Sequence, residues 1–365
     1  MYIGRIKVRE PIAAMKGPVL DNKYKRKVQL TGSSTYIVSL PKDWIRRLGI
    51  KQGCEVLINI MPDNSLKITP LISREKGEEP PRIKVIRVKD VYGDALVIEM
   101  ISAYLAGYDQ IILEYPVELE HKILEQVEKV QAKTVGLEVL EEEPGRLKLY
   151  MIVDNTSLSI HESLEKMMSI AVLMIDNALK FLKEGKEVLL QSIVRKDDTV
   201  DKLFLLIMRQ LNQVLSGRIG LDKTGLKTYP EIPYFVIVAK SIERIADHAV
   251  LLSKYITRID KDMDIYEDIY ELLDAAKQAY MISIRGFRLH DTRLALKALN
   301  KIVEAEERLE NFRQTLLPSD GVTSIYPVLE SINRIIAYSR DIVEATYNLV
   351  TYRELIGYAE QKERT

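Results

Sequence analysis

From residue 158 onward, apolar residues recur at steps of three and four almost without interruption. This predicts six helices, over about 158–184, 186–216, 230–257, 265–289, 291–316 and 324–357. Gly185, Gly217, Pro230, Pro318 and Gly321 punctuate them. At 1.5 Å rise per residue the helices reach roughly 40 Å, the length of up-and-down bundles.

The period shortens upstream. Val28 and Leu30 alternate with polar residues, Gly32-Ser33-Ser34 turns, and Tyr36, Val38 and Leu40 alternate again. Pro41 opens a short helix through Leu48, which Gly49 ends. Val56, Ile58 and Ile60, a turn at Asp63-Asn64, then Leu66 and Ile68 read as a hairpin. The charged, Pro-ended stretch 74–81 reads as a linker. Beyond it, strands at 83–88 and 110–115, helices at 95–105 and 117–132, and a hairpin of 135–140 with 147–153 about Pro144-Gly145 give the order βαβαββ, a small α+β module. It holds no catalytic constellation, so it is read as a spacer or dimerisation module ahead of the alternative, a small-ligand sensor. Residues 1–22 show charge and Gly-Pro without a period and read as a basic arm.

At 365 residues the chain is long for one core, so several domains are expected. Net charge is zero, yet residues 1–51 hold 12 Lys and Arg against 3 acids. That asymmetry points to an anionic partner for the N-terminal part, nucleic acid first. Cys54 is the only cysteine, so no intrachain disulfide and no cysteine-based metal site exists. The longest apolar runs, such as 167–175, fall short of a membrane span, and the N-terminus has no apolar signal region. The expected location is the cytoplasm.

The candidate chemistry lies on the second and third of the six helices. Glu243 and Asp247 stand four residues apart, as do Asp197 and Asp201, so each pair shares a helical face. Leu190, Ile193, Asp197, Val200, Phe204, Ile207, Leu211 and Val214 place Asp197 within the apolar stripe. An ionised group there must be paired, hydrogen-bonded or coordinating a cation. Oxygen-only donors suit hard cations such as magnesium, calcium, manganese or iron. Zinc is a further option. An ion-pair network with Arg244 or Arg209, or a solvent-lined groove, answers the same requirement. His248 follows Asp247 and points about 100° away on the helix, which makes it a rim residue.

The stretches ERIADHA and DDTVD resemble the signatures of the PhoU phosphate-uptake regulators. The resemblance covers about 155–357 and implies two three-helix repeats, 155–258 and 263–357, each with a carboxylate motif able to hold metal. In the second repeat Glu306 and Glu310 match Asp197 and Asp201, but Asn333 replaces the Glu and Ala337 the Asp. Asp341 and Glu344 lie one and two turns further on.

YIVSLPKDWIRRLGIKQGCEVLI resembles the SpoVT/AbrB-type swapped-hairpin domain, with Cys54 where Asp is usual, and implies such a domain over 23–72. The pairing of the two resemblances is of the archaeal PhoU type. An interleaved homodimer is implied, because so small a unit cannot close its own sheet edges. The family's DNA contacts map to Lys25, Arg26, Lys27, Lys42, Arg46 and Arg47. Trp44 reads as a packing residue.

The resulting expectation is a multidomain protein: an N-terminal β-rich swapped-hairpin domain, a small α+β module at 82–154, and C-terminal all-α tandem bundles. It would be a non-enzymatic, metal-binding regulator of phosphate uptake. Its partners would be duplex DNA and, by resemblance, a phosphate ABC transporter or phosphate-signalling proteins, touching a membrane transporter peripherally. The alternative is a cytoplasmic scaffold or adaptor whose N-terminal domain only dimerises. An antitoxin-like autoregulator fits that domain alone and leaves the long bundle unexplained.

Overall fold

The computed structural model describes residues 24–60, 65–70, 81–90, 93–153, 158–259, 265–316 and 322–362. The N-terminal arm, the turn at Asp63-Asn64 and most of the linker lie outside the described residues. The chain forms two compact units, 1–77 and 78–365.

In the first unit β1 (Gln29–Thr31) pairs antiparallel with β2 (Thr35–Ile37). The alternation predicted through Leu40 pairs only to Ile37, because β1 offers just three partners. Next comes α1 (Lys42–Leu48), closed by Gly49 in the left-handed conformation at φ 66°. Finally β3 (Val56–Ile60) pairs antiparallel with β4 (Leu66–Pro70), Ile58 opposite Ile68. No described residue of this unit is buried. Tyr36 is 73% exposed and Ile60 76%. Its apolar alternation is therefore real in sequence but meets no core among the described residues of this unit.

The second unit begins with the α+β module. Its elements are β5 (Ile83–Arg87), α2 (Ala95–Leu105), β6 (Gln110–Glu114), α3 (Glu120–Lys133), β7 (Leu137–Glu143) and β8 (Arg146–Met151). The sheet order is β5-β6-β8-β7, with β5 parallel to β6 and the remaining pairs antiparallel. Leu113, Leu147 and Leu149 of the sheet pack with Met100 of α2 and Ile123 and Val130 of α3.

Six long helices follow: α4 (Ile160–Glu184), α5 (Glu187–Leu215), α6 (Ile232–Tyr255), α7 (Ile265–Leu289), α8 (Thr292–Thr315) and α9 (Val322–Lys362). Caps mark several of the boundaries. Ser159 and Glu162 form a reciprocal capping box at the start of α4, Gly185 ends that helix at φ 69°, and the Asp291 carboxylate accepts from the amides of Arg293 and Leu294 to start α8.

The helices pack as two bundles, α4–α6 and α7–α9, that share one continuous core, with α6 against α9 the most extensive helix contact. Glu231, fully buried just before α6, receives a two-pronged bond from Arg353 of α9 at 3.0 and 2.9 Å, tying the two bundles together at one end. The fold is thus an antiparallel β-rich N-terminal region, a small sheet module and C-terminal helical bundles.

Candidate metal centre

The predicted register around Asp197 is the one the helix adopts. Leu190, Ile193, Val200, Ile207, Leu211 and Val214 of α5 are buried, Phe204 is partly so, and Asp197 stands half-buried among them. On α6, buried Ile242, Ile245, Ala246 and Ala249 hold Asp247 toward the same place. One carboxylate oxygen each from Asp197, Asp201 and Asp247 lies within 4.8 Å of the others. All three residues are half-buried.

Burial pushes the Asp197 carboxyl up to about 7, and the charges of Asp201 and Asp247 push in the same direction. Asp201 is also raised by burial, against the lowering pull of Lys133. One oxygen of Asp197, Oδ1, is buried and has no hydrogen-bond partner. An acceptor left bare between like charges is what a cation would relieve.

Glu243, expected as a fourth ligand, lies outside this group of three and close to a lysine, though its Oε2 is, like Asp197 Oδ1, buried without a hydrogen-bond partner. Lys240 Nζ, one turn back on α6, lies 2.7 Å from its Oε1 and 2.6 Å from its Oε2. Burial raises this carboxyl, and the Lys240 hydrogen bond opposes the shift. Arg244 sits 3.8 Å from Glu243 with its side chain half exposed. His248 is at the rim: its ring lies 5.9 Å from that of Tyr338, and burial followed by the Arg334 charge holds it below the usual range.

Glu306 and Glu310 join no comparable group among the described residues. Arg340 of α9 donates to Glu306 at 2.6 Å, and Glu310 is exposed, accepting from Gln314 on its own helix. Asn333 and Ala337 bring no carboxylate to this place. Asp341, raised by burial and by Glu344, is half-buried.

Linear sequence gave no sign of two further features. Lys133, the last residue of α3, reaches across from the α+β module to Asp201, with 3.6 Å between Nζ and Oδ2. Arg209 of α5 is fully buried and donates to the carbonyls of Tyr104 and, at 2.9 Å, Tyr108. Asn212 donates to Leu105 at 2.9 Å, and Arg218 to Gly107 at 3.0 Å and to Asp109 at 2.6 Å. These groups grip the carbonyl end of α2, the negative pole of that helix. Gly107, at φ 88°, makes the turn that presents it.

The basic residues assigned to nucleic acid are all exposed. Lys25, Arg26 and Lys27 precede β1, while Lys42, Arg46 and Arg47 lie on α1. Trp44 is half-buried and lines a shallow cavity of about 310 Å³ with Tyr24, Leu40, Pro41, Arg47, Leu66 and Ile68.

Residues 164–256, from α4 to the end of α6, match the PhoU domain family. The chain carries a PhoU domain. Residues 29–76 match the bacterial antitoxin family MazE, described as antidote-toxin recognition, so a MazE/AbrB-like domain precedes it. Two solved structures are similar. PhoU, the phosphate transport system regulatory protein from Streptococcus pneumoniae, is 15% identical, with 52% of this chain and 94% of that one covered at a TM-score of 0.43. PhoU from Pseudomonas aeruginosa is 15% identical, with 53% and 95% covered at a TM-score of 0.38. No curated protein matches the chain. No helix among the described residues is long and apolar enough to cross a membrane.

Proposed function

We propose that this protein is a regulator of phosphate uptake in which the PhoU domain binds a hard cation at Asp197, Asp201 and Asp247 and the N-terminal domain dimerises and binds duplex DNA. The observation that carries the metal reading is the orphaned Asp197 oxygen among carboxylates from two helices. The residues fit such an ion: the donors are all oxygens, and they converge from rigid elements. Bound there, the ion would supply charge neutralisation that locks α5 to α6, while the chain's own carboxylates hold and orient it. Manganese, magnesium, calcium and iron suit the donor set, and zinc is a further candidate.

For the N-terminal domain, assigned to 23–72, the absence of any buried residue among those described supports assembly with a second chain. Covering Leu30, Tyr36, Ile58 and Ile60 is what that assembly would accomplish. The basic residues on α1 and ahead of β1 would make mainly phosphate contacts, which position without specifying sequence. The PhoU domain makes the phosphate transport machinery the natural protein partner, reached from its soluble side.

Metal-stripped protein titrated with Mn2+ and assayed for duplex binding at two salt concentrations tests both halves. Saturable Mn2+ uptake, and DNA affinity falling by orders of magnitude between about 50 and 200 mM salt, are expected if six or more phosphates are contacted. Dimers without salt-sensitive DNA binding would leave the scaffold reading and a domain used for dimerisation only.

A further inference from the structure

Asp197, Asp201, Leu205, Arg209 and Asn212 follow one another along α5 at steps of four, four, four and three, so they form a single stripe. Its upper part faces the carboxylate centre and its lower part carries the α+β module. Leu205 packs on the module's core, and Arg209 and Asn212 hold the end of α2. Asp201 stands at the junction, and the module meets it with a cation, Lys133. Among the described residues of the bundle no cation pairs with Asp197 or Asp201, and Lys240 lies against Glu243.

Lys133 and a metal ion would both draw on the carboxylate charge of Asp201. The lysine is 52% exposed at its side chain and sits on the last residue of its helix, so it can swing into solvent at little cost. Among the described residues no other group of three acidic or metal-ligating side chains converges to take the ion. Resting on the metal reading above, we propose that Lys133 is the resident counter-cation of the centre, displaced when metal binds, so that the α+β module sets the affinity of the site and senses its occupancy. The coupling is reciprocal: whatever pulls α3 away from α5 strengthens metal binding, and metal binding frees the end of α3.

The test uses the full-length protein, stripped of metal and titrated with Mn2+ alone, with free Mn2+ read by electron paramagnetic resonance. Lys133→Met should bind Mn2+ about two- to fivefold more tightly, the range expected from deleting one half-exposed ion pair. Lys133→Arg should bind as the wild type does. Lys129→Met removes the same charge from the same helix, where its partner is Asp94, and should leave the affinity unchanged. In the wild type, acylation of Lys133 by an amine-reactive ester, followed by mass spectrometry, should rise on adding Mn2+ while that of Lys129 stays constant.

A Lys133→Met protein that binds Mn2+ less than about twofold more tightly, or a Lys133 whose reactivity ignores bound Mn2+, overturns the inference and leaves the metal site standing. A wild type that takes up no Mn2+ overturns both.

Discussion

The two helical repeats start from the same pattern, an acid pair on the middle helix facing a third helix, and satisfy it in opposite ways. In the first, Asp197 and Asp201 meet Asp247 and keep one oxygen bare, and the nearby cation, Lys133, belongs to another module. In the second, Glu306 is met by Arg340 from within the same repeat, Glu310 faces solvent, and the positions of Glu243 and Asp247 hold Asn333 and Ala337. The guanidinium that meets Glu306 comes from its own bundle, whereas the lysine that meets Asp201 is half-exposed and comes from the α+β module. Bundles of similar make-up thus leave their acid pairs with different partners.

The severest test of this contrast is to remove the first cluster. Asp201→Ala with Asp247→Ala should abolish Mn2+ uptake. It should also erase the stabilisation that saturating metal gives the wild type, about 2.7 kcal/mol at a hundredfold excess over Kd, visible as a loss of the metal-dependent rise in Tm. Metal content and thermal midpoint equal to the wild type would remove the site altogether.

The converse experiment rebuilds the second repeat. Arg340→Met, Asn333→Glu and Ala337→Asp together delete the internal cation and restore two carboxylates, and Mn2+ stoichiometry should rise by one per chain. If it stays as in the wild type, the difference between repeats lies in backbone placement rather than in these three side chains.

A smaller effect concerns pH. In the metal-free protein Asp197 holds its proton up to about 7, against an ordinary 3.8. The folded state therefore binds more protons than the unfolded one between those values. The resulting stability is fully present below the lower value and lost as pH rises through the upper one. Because the carboxylate is only half-buried, Asp197→Asn should stabilise the metal-free protein by about 1 kcal/mol at pH 8, after allowance for solvent screening, and by nearly nothing at pH 4. Equal effects at both pH values in urea denaturation would contradict a strained acid cluster. Smallest of all, Arg340→Ala should cost under about 1 kcal/mol, since the pair is a third or more exposed on both sides.

The helices were legible in the sequence because their signals are local. The 3.6-residue period, the Ser159 cap and Gly185 lie within a turn of the boundaries they set, and the six predicted segments end within a few residues of the observed ones. Asp197 was found the same way, as a polar residue out of place in an apolar stripe. The fate of Glu243 had a weaker local signal in Lys240, three residues away, which competes for it at i,i+3. In the N-terminal unit the alternation predicted the strands but could not say what they pack against, because a two-residue period marks which face is apolar and not what covers it.

By itself the sequence determined the order of the elements, the faces they bury and the residues able to act as oxygen donors, since each follows from periodicity and side-chain chemistry along a few turns. The tertiary structure alone decided which charges meet. Lys133 and Asp201 are separated by a whole hairpin and a helix, and Glu306 and Arg340 lie on different helices, α8 and α9. An ion pair depends on a distance of a few ångströms, which only the packing of the core fixes.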